Sequence, residues 1–400
     1  MARTEKPQRR ARGPRRTNAA NGRAPNDRLS IAKSADVSTA PRQTVLVLQG
    51  GGALGAYQVG VYQALHERGI EPDWVIGTSI GAINAALIAG NQPENRLDRL
   101  HAFWDRVEHA APHDGLRLWP GLGNVFTNLH TVSRGIPNFF TPNPASWIGT
   151  QAQVGVEAAS YYSTAPLHAT LKSLVEFDLL AECRTRLTVG AVNVRSGQMH
   201  YFDSRDARLG PEHVMASGAL PPAFPAIRVD GEPYWDGGIY SNTPIEAVLD
   251  DKPRRDSLIF AVSMWQPTGP EPESIWQVMG RQKDIQYASR AESHIARQKQ
   301  IHHLRHIIRQ LAIKVPPGAR ETAEFKELAS WGCGTTMHVV RLQAPRLDGE
   351  DHTKDIDFTP AGVRARWQAG YADTLRALDS EPWSAPIDPM DGVVVHQAMA

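Results

Sequence analysis

Residues 44–55 read Thr44-Val45-Leu46-Val47-Leu48-Gln49-Gly50-Gly51-Gly52-Ala53-Leu54-Gly55. A short apolar run rich in β-branched residues and ended by three glycines predicts a buried strand of a parallel sheet. From Ala53 onward, Tyr57, Val61 and Leu65 recur at helical spacing, and Gly69 supplies a stop. The pattern then repeats. Asp73-Trp74-Val75-Ile76 is a second strand, Gly77-Thr78-Ser79-Ile80-Gly81 a turn, and residues 82–89 an Ala-rich helix. Two successive strand–turn–helix units argue for an α/β fold around a mostly parallel sheet.

Further along, residues 186–191 and 199–202 read as strands joined at Ser196-Gly197, and residues 229–235 as a hairpin turning at Asp230-Gly231. Residues 257–265 and 337–342 are later strands. Residues 274–311 form a long charged helix, and residues 359–378 a closing helix with Val363, Trp367, Tyr371 and Leu375 on one face. Residues 112–160 are rich in Pro, Gly and Asn and predict a loop-rich insertion. Its aromatics, Trp119, Phe126, Phe139, Phe140 and Trp147, are expected to fill a core rather than face solvent.

Composition narrows the class of protein. With 41% hydrophobic and 21% charged residues, the 400-residue chain has material for a sizeable core, which excludes global disorder. Two cysteines, Cys183 and Cys333, are too few for a disulfide framework and lie in no CxxC pattern, so they read as ordinary thiols of a reducing compartment. The net charge of +1 hides an uneven distribution: the first 42 residues carry 11 basic and three acidic side chains. Residues 1–43 therefore read as a disordered basic tail, with an anionic surface as its alternative role. No apolar run follows those charges, so no signal peptide is expected, and no stretch approaches the ~20 apolar residues of a membrane span. The expected location is cytoplasmic, with peripheral membrane contact through the tail. No specific nucleic acid is expected as a partner.

The chemistry concentrates at three places. In Gly77-Thr78-Ser79-Ile80-Gly81, a serine between two glycines on a strand-to-helix turn has the form of a nucleophile elbow, whose small neighbours let the hydroxyl stand at the carboxyl edge of the sheet. The glycine-rich turn Gly50 to Gly55 also follows a strand and opens a helix. Its spacing satisfies a dinucleotide-binding turn, for which Glu71 is an available ribose-binding acid. The same amides also suit an oxyanion hole. An elbow on the next strand decides for the oxyanion hole. Asp236-Gly237-Gly238 follows the strand Pro233-Tyr234-Trp235, and its glycines let the backbone approach closely enough to deliver the carboxylate to a neighbouring strand's end.

Gly-Gly-Gly-x-x-Gly, Gly-x-Ser-x-Gly and Asp-Gly-Gly, in that order across residues 45–249, resemble the patatin-like phospholipase family. The resemblance implies a three-layer α/β/α fold and lipid acyl-ester hydrolysis without a cofactor. It also implies a Ser–Asp dyad in place of a histidine triad. By position, Ser79 is the nucleophile, Asp236 the base, and Gly50, Gly51 and Gly52 the oxyanion donors, with Gly55, Gly77, Gly81, Gly237 and Gly238 completing the motifs. A carboxylate base predicts activity persisting below pH 6. Leu54 stands where many members carry Lys or Arg, which removes a positive charge near the site, and Gly238 replaces a frequent Ala. The catalytic domain then spans residues 44–250. Residues 251–400 form a C-terminal α/β extension packed on it, similar to that of a bacterial subgroup of the family.

Two other functions share these motifs. Intracellular depolymerisation of a polyester such as polyhydroxyalkanoate needs the same machinery with a different pocket. A nucleotide-binding or scaffolding protein would use the glycine turns structurally. The spacing of His302, His303 and His306 includes an i, i+4 pair, but no third ligand is evident, so a solvated basic helix face is expected and no metal. His200 and His213 have no motif around them.

Overall fold

The computed structural model describes residues 43–108, 134–136, 138–182, 184–348 and 350–397, with backbone alone at 289 and 290. The expected basic tail, Cys183, and the insertion residues Trp119 and Phe126 lie outside them. Among the described residues, one nine-stranded sheet organises the chain. Its strands are β1 (Thr44–Leu48), β2 (Trp74–Gly77), β3 (Arg186–Asn193), β4 (Met199–Asp203), β5 (Ile227–Val229), β6 (Glu232–Asp236), β7 (Ser257–Ser263), β8 (Met337–Gln343) and β9 (Val393–Gln397). The order is β9-β8-β7-β1-β2-β3-β6-β5, with β4 on the other edge of β3. Strands β9 through β3 in this order pair in parallel. The pairs β3–β4, β3–β6 and β5–β6 are antiparallel.

Alternation along β1 builds the layers. Leu46 and Leu48 enter one apolar cluster, with residues of α1 (Ala56–Glu67), α2 (Ile80–Ala89) and α3 (Pro360–Ser380). Val45 and Val47 enter a second cluster with Ile245, Val248 and Ile295. Ile295 belongs to a 40-residue helix, Ile275–Lys314, whose start is capped by the Ser274 side chain. Because both faces of β1 are covered, all of Val45 to Leu48 is buried, and the strand reads as an unbroken apolar run. The result is a three-layer α/β/α fold with a largely parallel central sheet. Residues after 250 supply three of the nine strands, and β7 pairs directly with β1.

Three local expectations change. The helix after the glycine turn begins with a 3-10 turn, Gly52–Gly55, so α1 proper starts at Ala56. In α3 the buried face is Val363, Arg366, Gly370, Thr374 and Ala377, whereas Trp367, Tyr371 and Leu375 are only half-buried. The backbones of α1 and α3 approach so closely that a Cβ on Gly370 would lie 2.0 Å from the Tyr57 carbonyl. Small residues therefore hold the seam and the large ones flank it. Finally, Trp147 is 85% exposed, although Phe139 and Phe140 from the same insertion are buried.

Candidate active site

The register of β3 explains how distant residues meet. Gly77 of β2 stands opposite Val189, and Asp236 of β6 opposite Ala191. Phe202 and His200 of β4 occupy the other edge at those same two positions. Gly77 and Asp236 are therefore on one edge, two positions apart, where β2 ends and β6 takes over its pairing. Ser79 follows at once from the end of β2, and its side chain stands near enough to the Asp236 carboxyl to favour the charged form.

Ser79 caps α2 with φ 57° and ψ −125°, a conformation that is costly for a residue with a Cβ. The turn is held tightly. Ser79 donates its N–H to both the carbonyl and the Oγ of Ser217, each at 3.1 Å. The flanking glycines are there for space: a Cβ on Gly77 would lie 2.2 Å from the Gly81 carbonyl, and one on Gly81 2.3 Å from the Leu48 carbonyl. Any side chain at either position would force the turn open.

Asp236 is 2% exposed. Burial pushes its pKa up to about 7, against the opposing effects of the Gly238 N–H and the Ser79 side chain. The Gly238 N–H donates to Asp236 Oδ1 at 2.7 Å, within a 3-10 turn that starts at Gly237. This corrects the expectation of activity below pH 6, because a carboxyl titrating near 7 is protonated there.

The glycine turn lies at the end of β1 beside these groups, and Gly50, Gly51, Gly52, Ser79 and Asp236 line one cavity of about 200 Å³. Apolar side chains form much of the remaining wall, among them Ile83, Phe139, Phe140, Leu167, Phe224 and Phe358. Gly50 differs from its two neighbours. It is buried, and its N–H donates to the Asn242 carbonyl at 3.1 Å. The half-buried Gly51 and Gly52 N–H groups have no acceptor among the described residues. Gly55, deeper in the turn, accepts from Asn84 Nδ2 at 3.0 Å, and Leu54 is buried.

The other candidates lie apart from this cavity. Glu71 precedes β2, at the opposite end of the sheet from the glycine turn, and holds Arg96 in an ion pair, so no ribose-binding acid stands by the turn. The His213 ring accepts from the Gly210 N–H at 2.9 Å, and His200 packs on Phe202 and Tyr234. Neither lines the cavity. His302 and His306 are buried instead of solvated, because their helix face packs on the carbonyls of Leu249, Thr335 and Pro389. Among the described residues no group of three His, Cys, Asp or Glu converges as a metal site. Cys333 Sγ lies 2.9 Å from Thr335 Oγ1. A larger groove of about 840 Å³, bordered by Trp276, Arg281 and Arg346, contains none of the motif residues.

Sequence reading missed the residues that hold the turn. Gln49 is buried and donates to Thr243 Oγ1 at 2.7 Å and to the Tyr287 carbonyl at 3.2 Å, while its Oε1 accepts the Met264 and Trp265 N–H groups. A glutamine ending an apolar strand is the one visible signal.

The family model for patatin-like phospholipases matches residues 46–249. A second model, described as patatin phospholipase, matches residues 285–390. The chain is similar to the lysophospholipase nte1 of Aspergillus terreus, with 60% identity over 48 residues, 12% of this chain and 3% of that protein. It is 42% identical over 60 residues to the triacylglycerol lipase ptl3 of Schizosaccharomyces pombe, covering 15% of this chain and 12% of that one. With the lysophospholipase NTE1 of Candida glabrata it shares 28% identity over 222 residues, 55% of this chain and 10% of that protein. The chain thus spans at most 12% of the length of these three relatives. VipD from Legionella pneumophila aligns with 87% of this chain and 72% of its own at 17% identity and a TM-score of 0.37. Among the described residues no helix is long and apolar enough to cross a membrane. Because the first family model covers half of the chain, including the glycine turn, the elbow and the Asp-Gly-Gly segment, this protein belongs to the patatin-like phospholipase family.

Proposed function

We propose that this protein hydrolyses lipid acyl esters through an acyl-enzyme formed on Ser79. The observation that carries the reading is the meeting, on one cavity, of a strained elbow serine and a buried carboxyl whose pKa is pushed up to about 7. A carboxylate raised to that range is basic enough to take a hydroxyl proton near neutral pH. Ser79 Oγ attacks the ester carbonyl as its proton passes to Asp236. Negative charge develops on the carbonyl oxygen and is met by the Gly51 and Gly52 N–H groups. That narrows the three expected donors to two, since Gly50 is committed to Asn242. Collapse expels the alcohol, which takes the proton from Asp236. A water molecule then attacks the acyl-Ser79 carbonyl, giving its proton to Asp236; the adduct collapses as Asp236 returns that proton to Ser79 Oγ, and the fatty acid leaves.

The apolar wall of the cavity supports an acyl chain as occupant. The low cysteine count supports a cytoplasmic location, and the basic first 42 residues support peripheral contact with an anionic membrane. The test is a fluorophosphonate probe followed by a substrate panel of soluble ester, lysophospholipid, triacylglycerol and polyhydroxyalkanoate. Labelling at Ser79 that is lost in Ser79→Ala, with turnover of a lipid ester, supports the reading. A chain that takes up no probe is not a serine hydrolase, and preference for the polymer moves the substrate to polyesters.

A further inference from the structure

The Gly50 carbonyl is gripped from two sides. Trp265 Nε1 donates to it at 2.8 Å, and Asn242 Nδ2 donates to it at 3.0 Å. Asn242 also accepts the Gly50 N–H on its own carbonyl at 3.1 Å, so the two residues are joined by a reciprocal pair of bonds. Both side chains are buried, Trp265 at 2% and Asn242 at 7% exposure. Their bonds act on one peptide unit, Gly50–Gly51. A trans peptide is planar and carries its C=O and N–H on opposite sides. Fixing the Gly50 carbonyl toward Trp265 and Asn242 therefore fixes the direction of the Gly51 N–H away from them. Gly51 lines the cavity with Ser79, as Trp265 and Asn242 do at its margin, and its N–H has no acceptor among the described residues. Two donors on the carbonyl also polarise the amide and strengthen its N–H as a donor.

We propose that Trp265 and Asn242 are positioning residues that aim the Gly51 N–H at the developing oxyanion. The inference rests on the reading of Ser79 as nucleophile. It also gives residues beyond 250 a part in the chemistry. Trp265 follows β7, its indole packs tilted on Tyr287 with ring centroids 4.9 Å apart, and Lys354 stands over the ring at 5.3 Å. Lys354 is fixed in turn by Asp284 at 2.8 Å. Tyr287, Lys354 and Asp284 all lie in the segment matched by the second family model or immediately before it. That segment thus braces the indole, and the indole braces the turn.

The test separates positioning from folding. Trp265→Phe keeps an aromatic ring between Tyr287 and Lys354 but removes the Nε1–H. The wild type is first labelled with a fluorophosphonate at Ser79; absence of labelling there overturns the nucleophile reading itself. In Trp265→Phe, labelling reaches the same stoichiometry but about tenfold more slowly, less than the ~10²–10³ lost with an oxyanion donor itself. For a soluble ester, kcat falls in parallel while KM stays within about twofold, and affinity for a trifluoromethyl ketone, which forms a tetrahedral adduct, falls with kcat. An unchanged rate per labelled site overturns the proposal, as does a loss confined to the labelled fraction and the melting temperature. If Trp265→Phe does not fold, Asn242→Asp, which keeps the shape and removes the donor to Gly50, is read by the same comparison.

Discussion

Gly77 and Asp236 share one edge of β3, opposite Val189 and Ala191. The sheet register, more than any local motif, delivers a carboxyl to the serine that follows Gly77. The hydroxyl of Ser79 is half-buried and makes little of the packing. Ser79→Ala therefore abolishes ester turnover by several orders of magnitude and moves the melting temperature by no more than a few degrees. Full activity in a purified, melted and refolded sample of this variant would remove the assignment.

Asp236→Asn should show opposite effects on rate and on stability. Removing the proton acceptor lowers kcat by about 10²–10⁴. The stability effect has a definite sign. The folded pKa of about 7 lies above the ordinary carboxyl value of 3.8, so the folded state holds a proton that the unfolded state has lost. Wild-type stability then falls as pH rises from about 4 to about 7, and the deficit is complete above 7. Asn escapes this. The variant is expected to gain up to a few kcal/mol at pH 8, with the difference vanishing near pH 4. Chemical denaturation at the two pH values measures it, and an equal or lower stability at pH 8 contradicts the burial argument.

The same titration sets the rate profile. With Asp236 as base, kcat/KM for a soluble ester rises through pH 7 and falls about tenfold per unit below it. A histidine base would place its limb nearby, so variants make the distinction. His200→Ala and His213→Ala keep most of the rate, since neither ring lines the cavity. If either variant were as inactive as Ser79→Ala while Asp236→Asn kept its rate, the base would be a histidine.

The glycine turn and the elbow are legible in the sequence because each is a local pattern between a strand and a helix. So are the three layers, since the unbroken apolar run of β1 reports cover on both faces. Asp236 is visible only through the strand before it and the two glycines after it. Trp265, Asn242 and Tyr287 are not legible as parts of the turn, because their bonds to Gly50 and Gln49 join residues 192 to 238 positions apart. In α3 the face that periodicity singles out is only partly the buried one, for a physical reason as well. Periodicity selects large apolar residues, yet a close helix crossing selects Gly370. Burial of His302 and His306 depended likewise on distant carbonyls.

The first 42 residues carry a charge of +8, set against the −7 of the rest of the chain. Near an anionic surface each basic residue contributes about 1 kcal/mol at low salt. Deleting Met1–Thr39 should leave turnover of a soluble ester unchanged and weaken co-sedimentation with vesicles containing anionic lipid. Equal binding by both forms would leave the segment as a solubilising arm.

The cavity has a defined aromatic boundary. Phe140 packs on Phe139, Phe224 and Tyr162 with ring centroids 5.5, 5.2 and 4.9 Å apart, and all four residues line the cavity. Two of them, Phe139 and Phe140, come from the insertion, which thereby becomes part of the wall of the site. An aromatic box of this kind limits the chain by volume, because a close-packed ring does not yield to an extra methylene without strain. Phe140→Ala removes the central ring and opens the wall. Across a series of soluble and micellar esters, the variant should shift its preference to longer chains. Each newly accommodated methylene is worth about 0.8 kcal/mol, or roughly fourfold in kcat/KM. The substitution also costs a few kcal/mol of stability, since Phe140 is buried, so rates are compared per fluorophosphonate-labelled site. Phe224→Leu tests the same wall at lower cost and should move the preference in the same direction by less. A chain-length ranking identical to that of the wild type in both variants would mean that the acyl group leaves the elbow by another path.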